Sequence, residues 1–202
     1  MALCNADDSQ PDAEARVTVI RKARRCDAQQ LAALAEQTFR DAFAVENTPA
    51  DMTLHCRASY SESIQADEIA NPGMVTLLCE RGGRLVGFAQ LRWGKAPVCV
   101  AAAAPGEIQR LYVARDYHGK GVAHDLMNAC LDEMTSHRSD VAWLGVWERN
   151  PRAIAYYRKF RFVEVGAQVF PLGSDPQRDV VMARPMTGPS RPTSDSERLS
   201  EP

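Results

Sequence analysis

Glu107-Ile-Gln-Arg-Leu-Tyr-Val113 runs through Ala-Arg-Asp-Tyr117 into His118-Gly-Lys-Gly-Val-Ala123, and the reading of the whole chain turns on this stretch. The first seven residues read as a strand. The pair Gly119 and Gly121 then opens a long helix, from about Gly119 to His137, whose apolar residues are Val122, Leu126, Met127, Cys130, Leu131 and Met134. Glycines at such a turn let several backbone N–H groups converge with no Cβ between them. The helix N-terminus adds partial positive charge, which makes the turn a ready seat for a phosphate, with Lys120 at its rim. The spacing is neither GxGxxG nor the GK[ST] of a nucleotide loop. On the turn alone, anion binding and tight packing remain equal alternatives.

Outward from this stretch, strands and helices alternate. Val17–Ile20 reads as a first strand. Asp27, three residues before Gln30, has the spacing of a capping box, and Leu31, Leu34, Ala35, Thr38 and Ala42 share one helical face. Residues 49–70 read as a more irregular helical stretch closed by Asn71-Pro72-Gly73. Val75–Cys79 and Arg84–Trp93 form a hairpin across Gly82-Gly83, and a loop runs from Pro97 to Gly106. Val141–Trp147, almost wholly apolar, reads as a strand buried on both faces. Asn150 and Pro151 suit the cap and first position of a helix carrying Ala153, Ile154, Tyr157 and Phe160. Two closing strands, Phe162–Phe170 and Arg178–Met186, flank a turn at Gly173-Ser174-Asp175-Pro176. This order predicts one sheet with helices on both faces. Residues 1–15 and 187–202 are too polar to bury much surface and are expected to be disordered tails around a single domain, 16–186.

Composition sets bounds. With 202 residues the chain suits one domain. A net charge of −2 gives no steering toward nucleic acid or anionic membranes. Six cysteines stand singly, without CxxC pairs, and the four histidines have no ligand spacing, so no metal is expected. No signal peptide or membrane span is evident. The default compartment is therefore the reducing cytoplasm.

The strand, turn and helix resemble the acetyl-CoA-binding motif of GNAT acetyltransferases, whose turn runs Arg/Gln-x-x-Gly-x-Gly/Ala. A second motif agrees: Trp143-Leu-Gly-Val-Trp-Glu-Arg-Asn150 followed by Ala153-Ile-Ala-Tyr-Tyr157-Arg-Lys159-Phe-Arg-Phe162. Together they cover nearly the whole chain between its tails. The resemblance implies an α+β layered fold, with a mixed, mostly antiparallel sheet whose central strands splay apart. It implies transfer of acetyl from acetyl-CoA to a primary amine within a ternary complex. Cofactor contacts are then expected from Leu111, Tyr112, Val113, His118, Gly119, Lys120, Gly121, Val122, Ala123, Asn150 and Tyr157. Two departures from the pattern stand out. His118 replaces Arg or Gln, in a place where the backbone is what matters. Arg161 replaces Gly, at a cost of about 1 kcal/mol if the position needs positive φ.

Chemistry assigns further roles. An alkylamine, with pKa near ~10, must lose a proton before it attacks, and the departing thiolate needs an acid. By analogy with the family, Glu107 is the candidate base, Glu148 its alternative, and Tyr157 the candidate acid. Thr38-Phe-Arg-Asp-Ala-Phe43, Asn47-Thr-Pro and Phe170-Pro-Leu-Gly-x-Asp-x-Gln-x-Asp179 resemble the bacterial PaiA group. That narrower likeness implies a polyamine such as spermidine or spermine, met by Phe39, Asp41, Phe43, Asp51 and Glu148 through carboxylate and cation–π contacts. Phe39 and Phe43 at i, i+4 have a spacing more often found in a core than in a site, and a residue like Asp41 more often lies on a solvated face. A protein N-terminus, a lysine or an aminoglycoside stands as the alternative acceptor, and a non-catalytic acyl-CoA sensor as the alternative class. Open sheet edges are compatible with a homodimer, which nothing in the residues requires.

Overall fold

The structure, a computed structural model, describes residues 17–186. The two tails expected from the sequence lie outside the described residues. Strand β1 (Thr18–Lys22) leads through a tight turn to helix α1 (Ala28–Phe43), then α2 (Pro49–Ser59) and α3 (Glu62–Ala70). Strands β2 (Met74–Arg81), β3 (Arg84–Trp93) and β4 (Pro105–Val113) follow. Helix α4 (Val122–Ser136), β5 (Val141–Trp147), α5 (Pro151–Lys159), β6 (Val163–Leu172) and β7 (Asp175–Pro185) complete the described residues.

All seven strands join one sheet in the order β1-β2-β3-β4-β5-β7-β6, antiparallel except for the parallel β4–β5 pair. Helices cover both faces, so the expected layered α+β architecture is the one observed. On one face, α4 and α5 bury Val122, Leu126, Met127, Cys130 and Ile154 against Ile108, Leu144 and Met182. On the other, α1 and α2 bury Leu31, Phe39 and Met52 against Leu78 and Phe88. The β3–β4 loop packs Val100 over Trp143 and Val181 on that second face.

Local chemistry explains most boundaries. Gly82 and Gly83 both take positive φ, 55° and 71°, as a two-residue primed turn requires. The stretch 49–70 divides in two because the Ser61 hydroxyl accepts from the Ile64 amide at 3.3 Å and restarts the helix. Asp27 departs from expectation. Its carboxylate does not cap α1; it accepts from the Arg24 amide (2.7 Å) and both terminal nitrogens of Arg21 (2.7 and 2.8 Å). The Arg21 guanidinium, the largest influence, holds this carboxyl below the usual range. A forked ion pair to a neighbouring strand outcompetes the local cap.

Candidate active site

The β4–β5 ladder is very short. Only Pro105, Gly106 and Glu107 pair with Val141, Ala142 and Trp143, after which the strands separate. Just beyond, β4 carries a bulge: Gln90 and Leu91 face Arg110 and Ile108, leaving Gln109 extra. From Ile108 on, β4 therefore has a partner on its β3 side alone. The direction of its amides follows from one bond. Ala114 N donates to Val86 O at 2.8 Å, toward β3. Strand alternation then turns Tyr112 to the same side, while Leu111 and Val113 point their N–H groups into the gap. That is an unfilled strand position, able to pair with an extended ligand.

The glycine turn lies at the mouth of this gap. Gly119 and Gly121 have φ of 75° and 86°, and a Cβ on either would meet nothing within 4 Å. Their requirement is conformational, and the space beside them is open. Asp125 N is the first α4 amide to bond back, to Gly121 O at 3.0 Å. The amides of Val122, Ala123 and His124 thus face outward without intrahelical acceptors, as at any helix start. His118 does more than the sequence suggested. Its Nε2 donates to Val113 O at 2.9 Å, the carbonyl on the gap side of β4, and fastens the turn to the strand end. Lys120 Nζ rests 5.3 Å from the Tyr117 ring centroid at the rim. These free amides beside an open strand edge fit a phosphate-bearing cosubstrate with an extended arm.

On α5, Asn150 Oδ1 accepts from Ala153 N at 3.0 Å, so the oxygen is committed to capping. Tyr156 donates to Ala123 O at 2.7 Å and ties α5 to the first turn of α4. Tyr157 faces differently: its ring packs edge-on to Phe162, and no protein acceptor among the described residues takes its hydroxyl. Burial pushes that phenol up to about 12. It therefore stays protonated at neutral pH and keeps a proton to give. Arg161 has φ 65°, and the amides of Phe162 and Arg161 bond Tyr157 O (3.2 Å) and Arg158 O (3.0 Å). This is a Schellman ending, normally closed by glycine.

Glu107 stands where the strands part, and it is buried. Both its oxygens are taken by Arg92, Oε2 by Nε and Oε1 by Nη2 at 3.2 Å. Burial raises its pKa and the Arg92 bond works against that rise. With Arg92, Trp93, Lys95 and Trp143 it lines a cavity of about 330 Å³.

The acceptor residues read from sequence fare unevenly. Phe43, half-buried, meets Trp147 edge-on at 5.8 Å beside the cleft. Phe39 is a correction: it is 2% exposed, stacked on His55 and packed against Tyr60, because its position falls on the buried stripe of α1. Asp41 is a second correction. It is exposed on the opposite side of α1 and accepts from Gln37 at 2.9 Å. Asp51 is a third: Ser174 N and Oγ, with Thr48 Oγ1, occupy its carboxylate and clasp α2 to the β6–β7 turn. Glu148 is exposed and paired with Arg178 at 2.8 Å.

Sequence alone assigns Asp179 no role beyond ending the PaiA-like stretch. It lies on β7 between Trp147 of β5 and Gln168 of β6, is 8% exposed, and has no hydrogen-bonded or ionic partner among the described residues. Burial alone lifts its carboxyl to about 6. Alternation could have found it, since Val181 and Ala183 share its face and both are buried.

Comparison with known proteins agrees with this geometry. The profile of the acetyltransferase (GNAT) family matches residues 28–162. An uncharacterised N-acetyltransferase of Mycobacterium tuberculosis is 32% identical over 158 residues, 78% of this chain and 97% of the relative. Among solved structures, the PaiA N-acetyltransferase of Thermoplasma acidophilum in complex with coenzyme A superposes with a TM-score of 0.66 at 21% identity, over 84% of this chain and 99% of that one. The ribosomal-protein-S18-alanine N-acetyltransferase of Escherichia coli gives 0.64 at 17%, over 87% and 98%. A parted pair of central strands, a glycine turn at its mouth and a half-buried tyrosine on α5 thus meet a family match over two-thirds of the sequence, and the chain belongs to the GNAT family of N-acetyltransferases.

Proposed function

We propose that this enzyme acetylates a small primary amine, of polyamine type, by direct attack on acetyl-CoA held in the β4–β5 gap. The observation that carries the reading is the open edge of β4 running into the glycine turn. In it, the outward amides around Gly119–Ala123 receive the pyrophosphate, and the Leu111 and Val113 amides pair with the pantetheine arm. The Leu111 amide is the donor placed to polarise the acetyl carbonyl, a contribution of a few kcal/mol in a dry cleft. Tyr157 gives its proton to the sulfur as the C–S bond breaks. Glu107, at the parting of the strands, serves as base through water, its proton affinity raised by burial.

The small-amine reading draws on the Phe43–Trp147 aromatic edge and on the likeness to PaiA, which at 21% identity speaks for the fold. A cytoplasmic setting accords with Cys26, Cys56, Cys79, Cys99 and Cys130 all being free. The test is CoA release from acetyl-CoA with spermidine, spermine, aminoglycosides and peptides. Turnover on polyamines alone supports the reading. Turnover confined to peptides or aminoglycosides replaces the acceptor, and tight acetyl-CoA binding without any turnover replaces catalysis by sensing.

A further inference from the structure

Asp179 poses a problem of solvation. A carboxylate nine-tenths buried is normally matched by a cation or by several N–H donors, because desolvating a bare charge is expensive. The other buried or half-buried acids near the sheet obey this. Glu107 has Arg92, Glu68 has Arg110 at 2.7 Å, and Asp27 has Arg21. Asp179 has nothing. It is also not sealed in. Its neighbours Gly145, Trp147 and Gln168 are each partly exposed, so the carboxylate forms the floor of a half-open recess.

That recess exists because residue 145 is glycine. A Cβ there would lie 2.6 Å from Gln168 Nε2 and 3.0 Å from Asp179 Oδ2, so the Gln168 amide would have to move aside and the Asp179 carboxylate to give by a few tenths of an ångström. Gly145 has no positive φ to explain it, so the constraint is room for the two polar groups. The recess opens on the reaction cleft. Strand alternation puts Gly145 and Trp147 on one face of β5, beyond the point where β5 leaves β4. Trp147 meets Phe43 edge-on there. The buried phenol of Tyr112, from the facing stretch of β4, feels both Tyr157 and Asp179 electrostatically. Asp179 therefore shares a neighbour with the candidate acid.

We infer that Asp179, set over Gly145 and flanked by Gln168 and Trp147, is the anion that receives the alkylammonium group of the acceptor. The missing cation is supplied by the substrate. Gln168 Oε1 is free to accept a second N–H of the same group, and Trp147 offers its ring to the alkyl carbons. This rests on the small-amine reading above and sharpens it. Specificity is for a primary alkylammonium entering beside Trp147, and an acceptor carrying a carboxylate next to its amine is disfavoured by repulsion.

The experiment is calorimetric titration of the purified full-length protein, saturated with CoA, with spermidine and with benzylamine, alongside a separate titration of acetyl-CoA. The expected result for Asp179→Asn is at least tenfold weaker binding of both amines, unchanged acetyl-CoA affinity and a melting temperature no lower than wild type. Gly145→Ala, which keeps the carboxylate but fills the recess, is expected to weaken the amines while sparing acetyl-CoA. Amine affinity unchanged in Asp179→Asn would overturn the assignment, as would a wild type that binds neither amine. Either can occur with acetyl-CoA binding and turnover on another acceptor class intact, which separates this failure from that of the acetyltransferase reading.

Discussion

Replacing Arg161 by glycine should make the protein more stable. The residue is held at φ 65° by the two main-chain bonds that close α5, and a side chain in that region costs roughly 1–2 kcal/mol. Glycine removes the strain but gives the unfolded chain more freedom, which takes back about 0.4–1 kcal/mol. Both bonds survive, since they use backbone atoms alone. The net gain is about 0.5–1 kcal/mol, and at about 2–4 °C per kcal/mol for a domain of this size the melting temperature rises by about 1–4 °C. A second contribution has the same sign. Arg184, which donates to Phe160 O at 3.0 Å, has its pKa lowered first by burial and then by the Arg161 charge nearby. Arg161→Ala separates the two, since it removes the charge and keeps the strain. Differential scanning calorimetry of the three proteins decides the matter, with acetyl-CoA KM measured in parallel and expected to hold. If Arg161→Gly melts at or below wild type, or if Arg161→Ala gains as much, the strain argument is wrong.

Three further expectations concern the cleft and its surroundings. Tyr157→Phe removes the proposed proton donor and leaves the packing, so kcat should fall by about 10²-fold or more while acetyl-CoA affinity, by titration, stays put. His118→Ala frees Val113 O and loosens the turn, so KM for acetyl-CoA should rise several-fold with little change in kcat, and His118→Gln should restore part of it. The pH dependence of stability should contain two opposed contributions. Asp179 titrates higher in the fold, at about 6, so its contribution is full below pH ~4 and is lost as pH rises through 6. His55, lowered to about 4 chiefly by burial and then by Arg110, contributes fully above pH ~6.5 and loses it as pH falls through 4. Urea denaturation between pH 4 and 7 should therefore show a steeper acid loss in Asp179→Asn than in wild type; a parallel profile would refute the opposition.

What the sequence disclosed, and what it hid, follows a physical line. Features written in backbone requirements were readable: the Gly82-Gly83 turn, the Asn150-Pro151 helix start, the glycines before α4 and the penalty at Arg161 all match the observed conformations. The ends of β3 and β5 were read to the residue, because Gly, Pro and charge bracket them. Features that depend on which side chains find each other across the sheet were not readable. Asp27 chose Arg21 over capping, Asp51 chose Ser174 over the cleft, and Phe39 was claimed by His55 and Tyr60. Asp179 stood in a closing strand and in the PaiA-like stretch with no role attached to it. Its isolation shows only when Trp147 and Gln168, 32 and 11 positions away in sequence, are brought alongside.

The three-residue seam between β4 and β5 has a thermodynamic consequence. The sheet is two leaves, β1–β4 and β5–β7, and a cosubstrate seated as proposed would fill the strand position left vacant between them. Anything that binds the folded state alone raises its stability by mass action, about 2.7 kcal/mol at a hundredfold excess over Kd. The lifetime of this protein in a cell would then follow the local supply of acetyl-CoA and CoA, with the two leaves held together best when either is plentiful.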